Sequence, residues 1–300
     1  MGKSFAHEVF AAALVALLMV HAAGAADAPA TKKPVATKIR SKPEVRSAVA
    51  LIADAKSGEI LYELKGTQVV PIASITKLMT ALVVLDAQQP LDEIIEITAA
   101  DRWKGKGAHS RLPIGAKVTR ADLLRLALMA SENRAAHVLG RNYPGATAEF
   151  VKTMNLKARV LGMKQTRFAD ASGLSSLNVS SARDLSRLVN AASREVVIRE
   201  YSTLHTVEVR AGRSMLTYRN TNLLIGKPDW QILVQKTGFT HDAGECLVQQ
   251  ALIGDRTVNM IFMNSWGKLT RTADARRVRR WMDAQTAAPM VVGAGDVSKN

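Results

Sequence analysis

The chain has 300 residues, a formal net charge of +15 at pH 7 and 47% hydrophobic residues, enough for one or two globular domains. Ordinary glycine and proline content excludes a collagen-like or low-complexity chain, and a single cysteine, Cys246, excludes an intramolecular disulfide and a cysteine-ligated zinc cluster. The basic excess indicates an anionic partner, which could be nucleic acid, an anionic membrane or an acidic polymer.

The first 25 residues have the pattern of an export signal. The basic residue Lys3 precedes an apolar run over 10–20, and small residues follow over 22–26. The run is shorter than the roughly 20 residues that a membrane-spanning helix needs, so we expect a cleaved signal peptide over 1–25. An uncleaved anchor is the alternative. Lys3 and Glu8 cancel, so the mature chain keeps its charge of +15.

Residues 26–45 contain three prolines and five basic residues, and few of them are apolar. Such a segment cannot offset the entropy of ordering, so we predict a flexible tether there. The domain is expected over 46–282 and a flexible tail over 283–300. The basic stretch 271–280 predicts a terminal helix with a solvated basic face, on which Val278 and Trp281 remain to pack against the domain.

The predicted elements run from strands to helices and back to strands. This order predicts an α+β fold in which both ends of the chain contribute to one antiparallel sheet, with a helical lobe inserted between them. The elements are a hairpin (48–53 and 59–63), helices over 74–87, 123–130, 134–140, 146–161 and 182–192, and strands over 205–210, 231–236, 246–253 and 257–263.

A serine and a lysine stand three residues apart at the start of the first predicted helix. In Ser74-Ile-Thr-Lys77 this spacing puts the hydroxyl and the amine on one helix face. A serine at the positive end of the helix dipole can be a nucleophile, with a desolvated lysine as its base. Ser265 and Lys268 repeat the spacing after a strand, where no helix would bring them together. We therefore treat this second pair as a chance match.

A second motif, Ser131-Glu-Asn133, lies at the break between two predicted helices. At such a break a hydroxyl and an amide on alternate residues can both face a cleft instead of packing. Ser176 and Asn178 have the same spacing, but they lie in a loop rich in glycine and serine. We treat that pair as a second chance match.

A third motif, Lys236-Thr-Gly238, ends a predicted strand. On an exposed strand, a cation and a hydroxyl can hold an anionic group, and a residue without a side chain lets a substrate backbone approach closely. Each of the three motifs is weak alone. Together, on a helix start, a helix break and a strand, they predict a serine-type active site.

In this order the motifs resemble the active-site signature of the penicillin-recognising serine enzymes. The surrounding sequence resembles the low-molecular-mass penicillin-binding proteins of the D-alanyl-D-alanine endopeptidase type, peptidase family S11, over about residues 45–282. The resemblance implies a β-lactamase/transpeptidase-like fold. The matching segments are ASITKLMTA (73–81), LALMASENRAA (126–136), FADASGLSSLNVSSARDL (168–185), RNTN (219–222) and KTGFTHDAGECLV (236–248).

The resemblance implies the catalytic roles. Ser74 would be the nucleophile that forms an acyl-enzyme, and Lys77 would be its general base. Ser131 would relay a proton to the leaving amine, together with Lys77 or Lys236. The backbone N–H groups of Ser74 and Phe239 would form the oxyanion hole for the substrate carbonyl.

The resemblance also implies how the substrate is held. Asn133 would bind the substrate's peptide chain and position Lys77. Lys236 and Thr237 would bind the carboxylate next to the scissile amide. Gly238 would leave room for the substrate strand.

The expected substrate is a peptide crosslink of peptidoglycan. In a 4,3-crosslink the D-centre of diaminopimelate offers the carboxylate that this site needs, so we expect hydrolysis of D-alanyl-meso-diaminopimelate crosslinks in the periplasm, with a part in cell-wall biogenesis and cell shape. A D-alanyl-D-alanine carboxypeptidase is the alternative, and a non-catalytic wall-binding protein is less expected. Related carboxypeptidases typically carry a further β-rich domain and an anchor helix, for which the roughly 20 residues after Trp281 are too few.

β-Lactam antibiotics are the expected covalent inhibitors, because the chain lacks the Glu-x-x-Leu-Asn segment that supplies a deacylating glutamate in class A β-lactamases. No cofactor and no metal are expected, since the six histidines show no paired ligand spacing. Nucleic acid is not expected as a partner, because no DNA- or RNA-binding signature occurs and aromatic residues make up only 5% of the chain. No stable membrane anchor is expected. The charge is then interpreted as screened attraction to an anionic wall.

Overall fold

The strands and helices follow the order that the sequence predicts. The structure, a computed structural model, describes residues 42–103, 105 and 109–286; the predicted signal peptide and most of the predicted tether and tail lie outside the described residues. The strands are β1 (Val49–Asp54), β2 (Ile60–Leu64), β3 (Val70–Pro71), β4 (Ile94–Glu96), β5 (Lys117–Thr119), β6 (Val179–Ser180), β7 (Thr206–Ala211), β8 (Ser214–Arg219), β9 (Gln231–Thr240), β10 (Gly244–Ile253) and β11 (Arg256–Ser265). The helices are α1 (Thr76–Asp86), α2 (Arg120–Met129), α3 (Asn133–Arg141), α4 (Ala146–Val160), α5 (Ala182–Ala192), α6 (Val196–Thr203) and α7 (Thr270–Thr286).

A five-stranded antiparallel sheet in the order β2-β1-β11-β10-β9 is built from both ends of the chain, which confirms the predicted topology. Directly opposite residues of β1 and β11 share a face. The pair Leu51 and Ile261 belongs to the core formed with the helical lobe, whereas the next pair, Ile52 and Met260, packs with α7. Because both faces are covered, the first strand is continuously apolar instead of alternating.

The segment between the two parts of the sheet folds as the predicted helical lobe. Its centre is α1, in which residues 76–84 are all buried. A helix that is apolar on every side is stable only inside a core. The helix α2 has an N-terminal cap: the Thr119 side chain accepts a hydrogen bond of 3.1 Å from the backbone N–H of Asp122.

Six of the strands and helices in the described residues were not predicted: the helix α6, the strand β8 and the short strands β3, β4, β5 and β6. The helix α6 begins with Val196, and a run of β-branched residues lowers helix propensity, so only the burial of Ile198 in the core explains it. The strand β8 pairs with β7 in a separate two-stranded hairpin. The strand predicted over 231–236 in fact continues to Thr240, which places the third motif inside it.

The C-terminal helix α7 covers the face of the sheet opposite the lobe and continues to Thr286, beyond the expected domain end at 282. Val278 is buried and Trp281 is partly buried, as predicted. The predicted solvated basic face is only partly correct: Arg276 is exposed, but Arg271 is turned toward the sheet. None of the helices in the described part of the chain is long and apolar enough to cross a membrane.

Candidate active site

Ser74 lies in a short 3-10 turn, Ala73–Ile75, directly before α1. The predicted helix therefore begins as a tighter turn, and the α-helix itself starts at Thr76. Ser74 is only 8% exposed, and Ala73 has a φ of +47°, a conformation that residues with a side chain rarely adopt. Strain of this kind persists only where the surroundings enforce it, and it is concentrated at functional sites.

Lys77 lies on the first turn of α1 and is fully buried. Its Nζ donates hydrogen bonds to Ser74 Oγ (2.7 Å), Asn133 Oδ1 (2.8 Å) and the backbone carbonyl of Ser172 (2.7 Å). The first contact lies within the first motif, and the second joins it to the second motif. The third contact, to Ser172, had no counterpart in the sequence analysis.

The environment of Lys77 changes the proton affinity of its amine. Burial lowers the pKa of Lys77 to about 7, and the negative charges of Asp170 and Glu132 oppose this shift without cancelling it. At that pKa a large fraction of the amine is uncharged at pH 7. A neutral lysine in contact with Ser74 can remove the proton of its hydroxyl.

The second motif lies at the break between α2 and α3. Ser131 is partly exposed and has a φ of +59°, and the Glu132 side chain caps α3 by accepting from the backbone N–H of Ala135 at 2.7 Å. This cap places Asn133 in the first turn of α3, where its amide oxygen accepts the hydrogen bond from Lys77 Nζ. A small, partly open pocket lies beside the amide; its lining residues are Asp101, Trp103, Ser110, Asn133, Arg134 and His137.

The third motif lies on β9, the edge strand of the sheet. Lys236 is fully buried, so the prediction of an exposed strand is wrong at this residue; its Nζ donates to the backbone carbonyl of Thr237 at 2.8 Å. Burial, together with the charges of Lys77 and Arg271, holds the pKa of Lys236 well below its ordinary value. The Thr237 hydroxyl is 2.6 Å from that of Thr221, a residue to which the sequence analysis assigned no role.

Gly238 brings β9 directly against the turn that contains Ser74. A Cβ at this position would lie 3.0 Å from the carbonyl oxygen of Ile72 and 3.1 Å from the backbone nitrogen of Ser74. The absence of a side chain at Gly238 therefore allows β9 to approach this turn. Because Phe239 follows Gly238, the backbone N–H groups of Ser74 and Phe239 belong to two segments in direct contact. The Phe239 side chain is 54% exposed.

Arg271 ties α7 to the third motif. Its guanidinium donates to the backbone carbonyls of Gly238 (2.7 Å) and Cys246 (2.9 Å), and it forms an ion pair of 2.5 Å with Glu245. The sequence placed this arginine on a solvated helix face, and the pattern of arginines gave no sign that one of them turns inward. The positive charge of Arg271 also helps to lower the pKa of Lys236.

The three motifs thus meet in one site, and comparison with known proteins identifies the family of the chain. The peptidase S11 family model, described as D-alanyl-D-alanine carboxypeptidase, matches residues 36–267. The chain belongs to this family. As an S11 peptidase it is a serine hydrolase, and its α+β fold is the one that the resemblance predicts.

This S11 peptidase is 47% identical over 255 residues to a D-alanyl-D-alanine endopeptidase of Pseudomonas aeruginosa, a match that covers 84% of this chain and 82% of that protein. It is 43% identical over 269 residues to a D-alanyl-D-alanine endopeptidase of Escherichia coli K12, covering 88% of this chain and 86% of that protein. The structure of penicillin-binding protein D2 from Listeria monocytogenes in its cefotaxime-bound form superposes with a TM-score of 0.71 at 30% identity, covering 82% of this chain and all of that chain.

Neither chance match is part of the three motifs of the S11 peptidase; the second one lies in the loop over 170–178, where the Asn178 carbonyl accepts from the backbone N–H of Ile72 at 3.0 Å. Ser265 forms a hydrogen bond of 2.7 Å with Ser47, while Lys268 is exposed in the following turn. Asn178 lies in a loop, where its amide donates to Asp170. Cys246 is fully buried, and burial raises the pKa of its thiol to about 11, as expected for a small core residue. In the described part of the chain no three His, Cys, Asp or Glu side chains are placed to hold a metal ion.

Gly173→Ala is expected to disturb the turn that contains Ser74. Gly173 has a φ of +81°, and a Cβ there would lie 1.9 Å from the carbonyl oxygen of Ala73, so the turn before Ser74 must shift. We expect the acylation rate with a fluorescent penicillin to fall at least tenfold or so, because a displacement of about 1 Å can cost a hundredfold. Gly115→Ala is the matched control, since Gly115 has a φ of +83° with nothing within 4 Å. Equal acylation rates in the two variants would contradict the prediction.

Proposed function

We propose that this S11 peptidase is a serine D,D-endopeptidase that hydrolyses D-alanyl-meso-diaminopimelate crosslinks of peptidoglycan through an acyl-enzyme. The observation on which the proposal rests is the 2.7 Å hydrogen bond between Lys77 Nζ and Ser74 Oγ inside a buried site. The choice of crosslinks as substrate is supported by the two relatives named D-alanyl-D-alanine endopeptidase, at 47% and 43% identity.

Acylation follows from the positions of the first two motifs. Neutral Lys77 accepts the proton of the Ser74 hydroxyl while Oγ attacks the carbonyl carbon of the D-alanine residue. The backbone N–H groups of Ser74 and Phe239 stabilise the negative charge on the carbonyl oxygen, a contribution of a few kcal/mol per donor. Ser131 relays the proton from Lys77 to the leaving amine of diaminopimelate, and the C–N bond breaks.

Deacylation reverses the proton transfer. A water molecule attacks the ester carbonyl as Lys77 takes one of its protons, and Ser74 Oγ leaves and recovers a proton from Lys77. The product is a stem peptide that ends in the carboxylate of D-alanine. During acylation Lys236 and Thr237 hold the carboxylate beside the scissile amide, and this carboxylate leaves with diaminopimelate. Asn133 binds the peptide chain of the acyl donor in both steps.

We also propose that β-lactams inhibit the protein covalently. Their strained amide carbonyl offers the same electrophile to Ser74, and the relative from Listeria monocytogenes is described in a cefotaxime-bound form. Slow deacylation would trap the drug on the serine.

The proposed location is the periplasm, after cleavage of a signal peptide over 1–25. The basic residue, apolar run and small residues at the start of the chain support this proposal. Amino-terminal sequencing of the protein recovered from a periplasmic extract tests it: a start near Ala26 is expected, and a start at Met1 excludes cleavage.

Two purified substrates separate the possible activities. The protein is incubated with D,D-crosslinked muropeptide dimer and, separately, with pentapeptide monomer, each with and without benzylpenicillin. Release of monomers from the dimer, blocked by the drug, is the expected result on chromatography. Loss of D-alanine from the pentapeptide alone would reassign the protein as a carboxypeptidase. Binding of the dimer without cleavage would indicate a wall-binding protein.

A further inference from the structure

One carboxylate organises the loop over 170–178, which faces the active site. Asp170 Oδ1 accepts hydrogen bonds from the backbone N–H and hydroxyl of Ser172 (2.6 and 2.7 Å) and from the N–H of Gly173 (2.7 Å). Its Oδ2 accepts from the N–H of Ser175 (2.9 Å) and from the side-chain amide of Asn178 (2.7 Å). Both oxygens are therefore engaged within the loop, which is folded around this one side chain.

The folded loop presents two consecutive carbonyl groups to α1. The carbonyl of Ala171 accepts from the Thr80 hydroxyl at 2.6 Å, and the carbonyl of Ser172 accepts from Lys77 Nζ at 2.7 Å. Gly173, the next residue, contacts the turn before Ser74 so closely that no side chain fits there. The loop is thus seated against the general base and the nucleophile together.

The carbonyl of Ser172 determines the direction of the lysine lone pair. A neutral amine has two N–H bonds and one lone pair. When the two N–H groups of Lys77 donate to Asn133 Oδ1 and to the Ser172 carbonyl, the lone pair is left to face Ser74 Oγ, the third neighbour of Nζ. If the carbonyl moves away, the amine can rotate and the lone pair is no longer held toward the hydroxyl.

Four ionisable groups face Lys77 from the elements around it: Asp170 in the loop, Glu132 at the helix break, Lys236 on β9 and His137 on α3. Burial lowers the pKa of His137, so this ring is neutral near pH 7; its Nε2 is 2.9 Å from the Ser172 hydroxyl. Burial opposes ionisation of Asp170, but hydrogen bonds from Ser172, Ser175 and Asn178 hold its pKa below the ordinary value. Asp170 is therefore a fixed negative charge while Lys77 titrates.

We propose that Asp170 is a positioning residue for the general base: it holds the Ser172 carbonyl on Lys77 Nζ and keeps a negative charge beside that amine. The proposal rests on the proposed function of Lys77 in the preceding subsection. Asp170 acts through the loop, without contact with the reacting atoms. Loss of this carboxylate affects both the direction of the lone pair on Lys77 and the proton affinity of its amine.

Asp170→Asn tests both effects, because it removes the charge and turns one acceptor into a donor that faces the Ser175 N–H and the Asn178 amide. The acylation rate with a fluorescent penicillin is measured from pH 5 to 9. The plateau rate is expected to fall by about tenfold to a hundredfold, as for a displaced catalytic group. Without the negative charge the protonated form of Lys77 is less favoured, so its pKa falls. The acid limb of the pH profile, the range over which the acylation rate rises with pH, therefore moves to lower pH.

Asp184→Asn is the matched control. Asp184 is also buried, 3% exposed, and also holds a loop, since it accepts from the backbone N–H of Gln165 (2.7 Å) and the Thr166 hydroxyl (2.9 Å). Its charge is not among those that shift the pKa of Lys77. We expect this variant to lower the melting temperature while the acid limb stays in place. A limb in Asp170→Asn that does not move, or a plateau equal to that of the unaltered protein, overturns the proposal.

A second measurement does not depend on activity. In protein labelled with ¹³C at the lysine Cε, a pH titration by NMR reports the pKa of Lys77 directly, with Lys77→Met to assign the signal. The pKa is expected to be lower in Asp170→Asn than in the unaltered protein; an unchanged value counts against the proposal even if acylation is never observed. Failure of the proposed function gives a different result, namely no penicillin adduct that disappears in Ser74→Ala.

Discussion

Ser74→Ala is expected to abolish both cleavage of crosslinked muropeptide dimers and covalent labelling by penicillin. The alanine has no oxygen to form the acyl-enzyme, and loss of a serine nucleophile lowers kcat by roughly 10⁴–10⁶-fold. The Ser74 side chain is small, and among the described residues its hydroxyl forms a hydrogen bond only with Lys77. We therefore expect the variant to keep the fold. Mass spectrometry of the intact protein after incubation with benzylpenicillin measures the adduct, and chromatography of muropeptides measures cleavage.

The chain contains its own control for this variant. Ser265 has the same spacing to a lysine as Ser74 but binds the Ser47 hydroxyl on the far side of the sheet. Ser265→Ala is expected to lower stability by about 1 kcal/mol, the value of an ordinary buried hydrogen bond, and to retain the adduct. A penicillin adduct that survives in Ser74→Ala would falsify the assignment of the nucleophile. Rapid release of the drug from the unaltered protein would instead indicate a β-lactamase.

Lys77→Ala is expected to lower the acylation rate by about 10²–10⁴-fold, the usual contribution of a general base. The pH profile separates this role from a merely structural one. Since the pKa of Lys77 is about 7, the amine is protonated below that pH and free to accept a proton above it. The acylation rate of the unaltered protein should therefore rise with pH through about 7 and be about a hundredfold below its plateau at pH 5.

In Lys77→Ala this limb should be absent, because the group that titrates is gone. Lys268→Ala is the matched control, since Lys268 is the exposed lysine of the chance match, and it should keep both the rate and the limb. The rate constants are obtained with a fluorescent penicillin by stopped flow. A limb near pH 7 that persists in Lys77→Ala would assign the base to another residue, with Lys236 as the next buried amine to test.

The sequence predicts most of the fold because the local periodicity of each segment agrees with the strand-helix-strand order along the chain. The apolar run 48–53 predicts the strand that the structure has as β1, and the pattern over 146–161 predicts the helix α4. The prediction is wrong or silent where tertiary contacts override propensity. The β-branched start of α6 is helical because Ile198 is buried, and Arg271 leaves the solvated helix face for two carbonyl groups of the sheet.

By itself the sequence determined the family and the identity of the groups in the site. Ser74, Lys77 and Asn133 supply a hydroxyl, an amine and an amide at a helix start and a helix break. Their spacing is a local pattern, so it can be recognised in the sequence without the tertiary structure. The site roles inferred from them stay predictions until the variants are measured. Only the tertiary structure decided the environment of Lys77, whose burial lowers its pKa to about 7. The Ser172 carbonyl that Lys77 contacts comes from a loop 95 residues away, and no local pattern encodes the burial that lowers the pKa of this lysine.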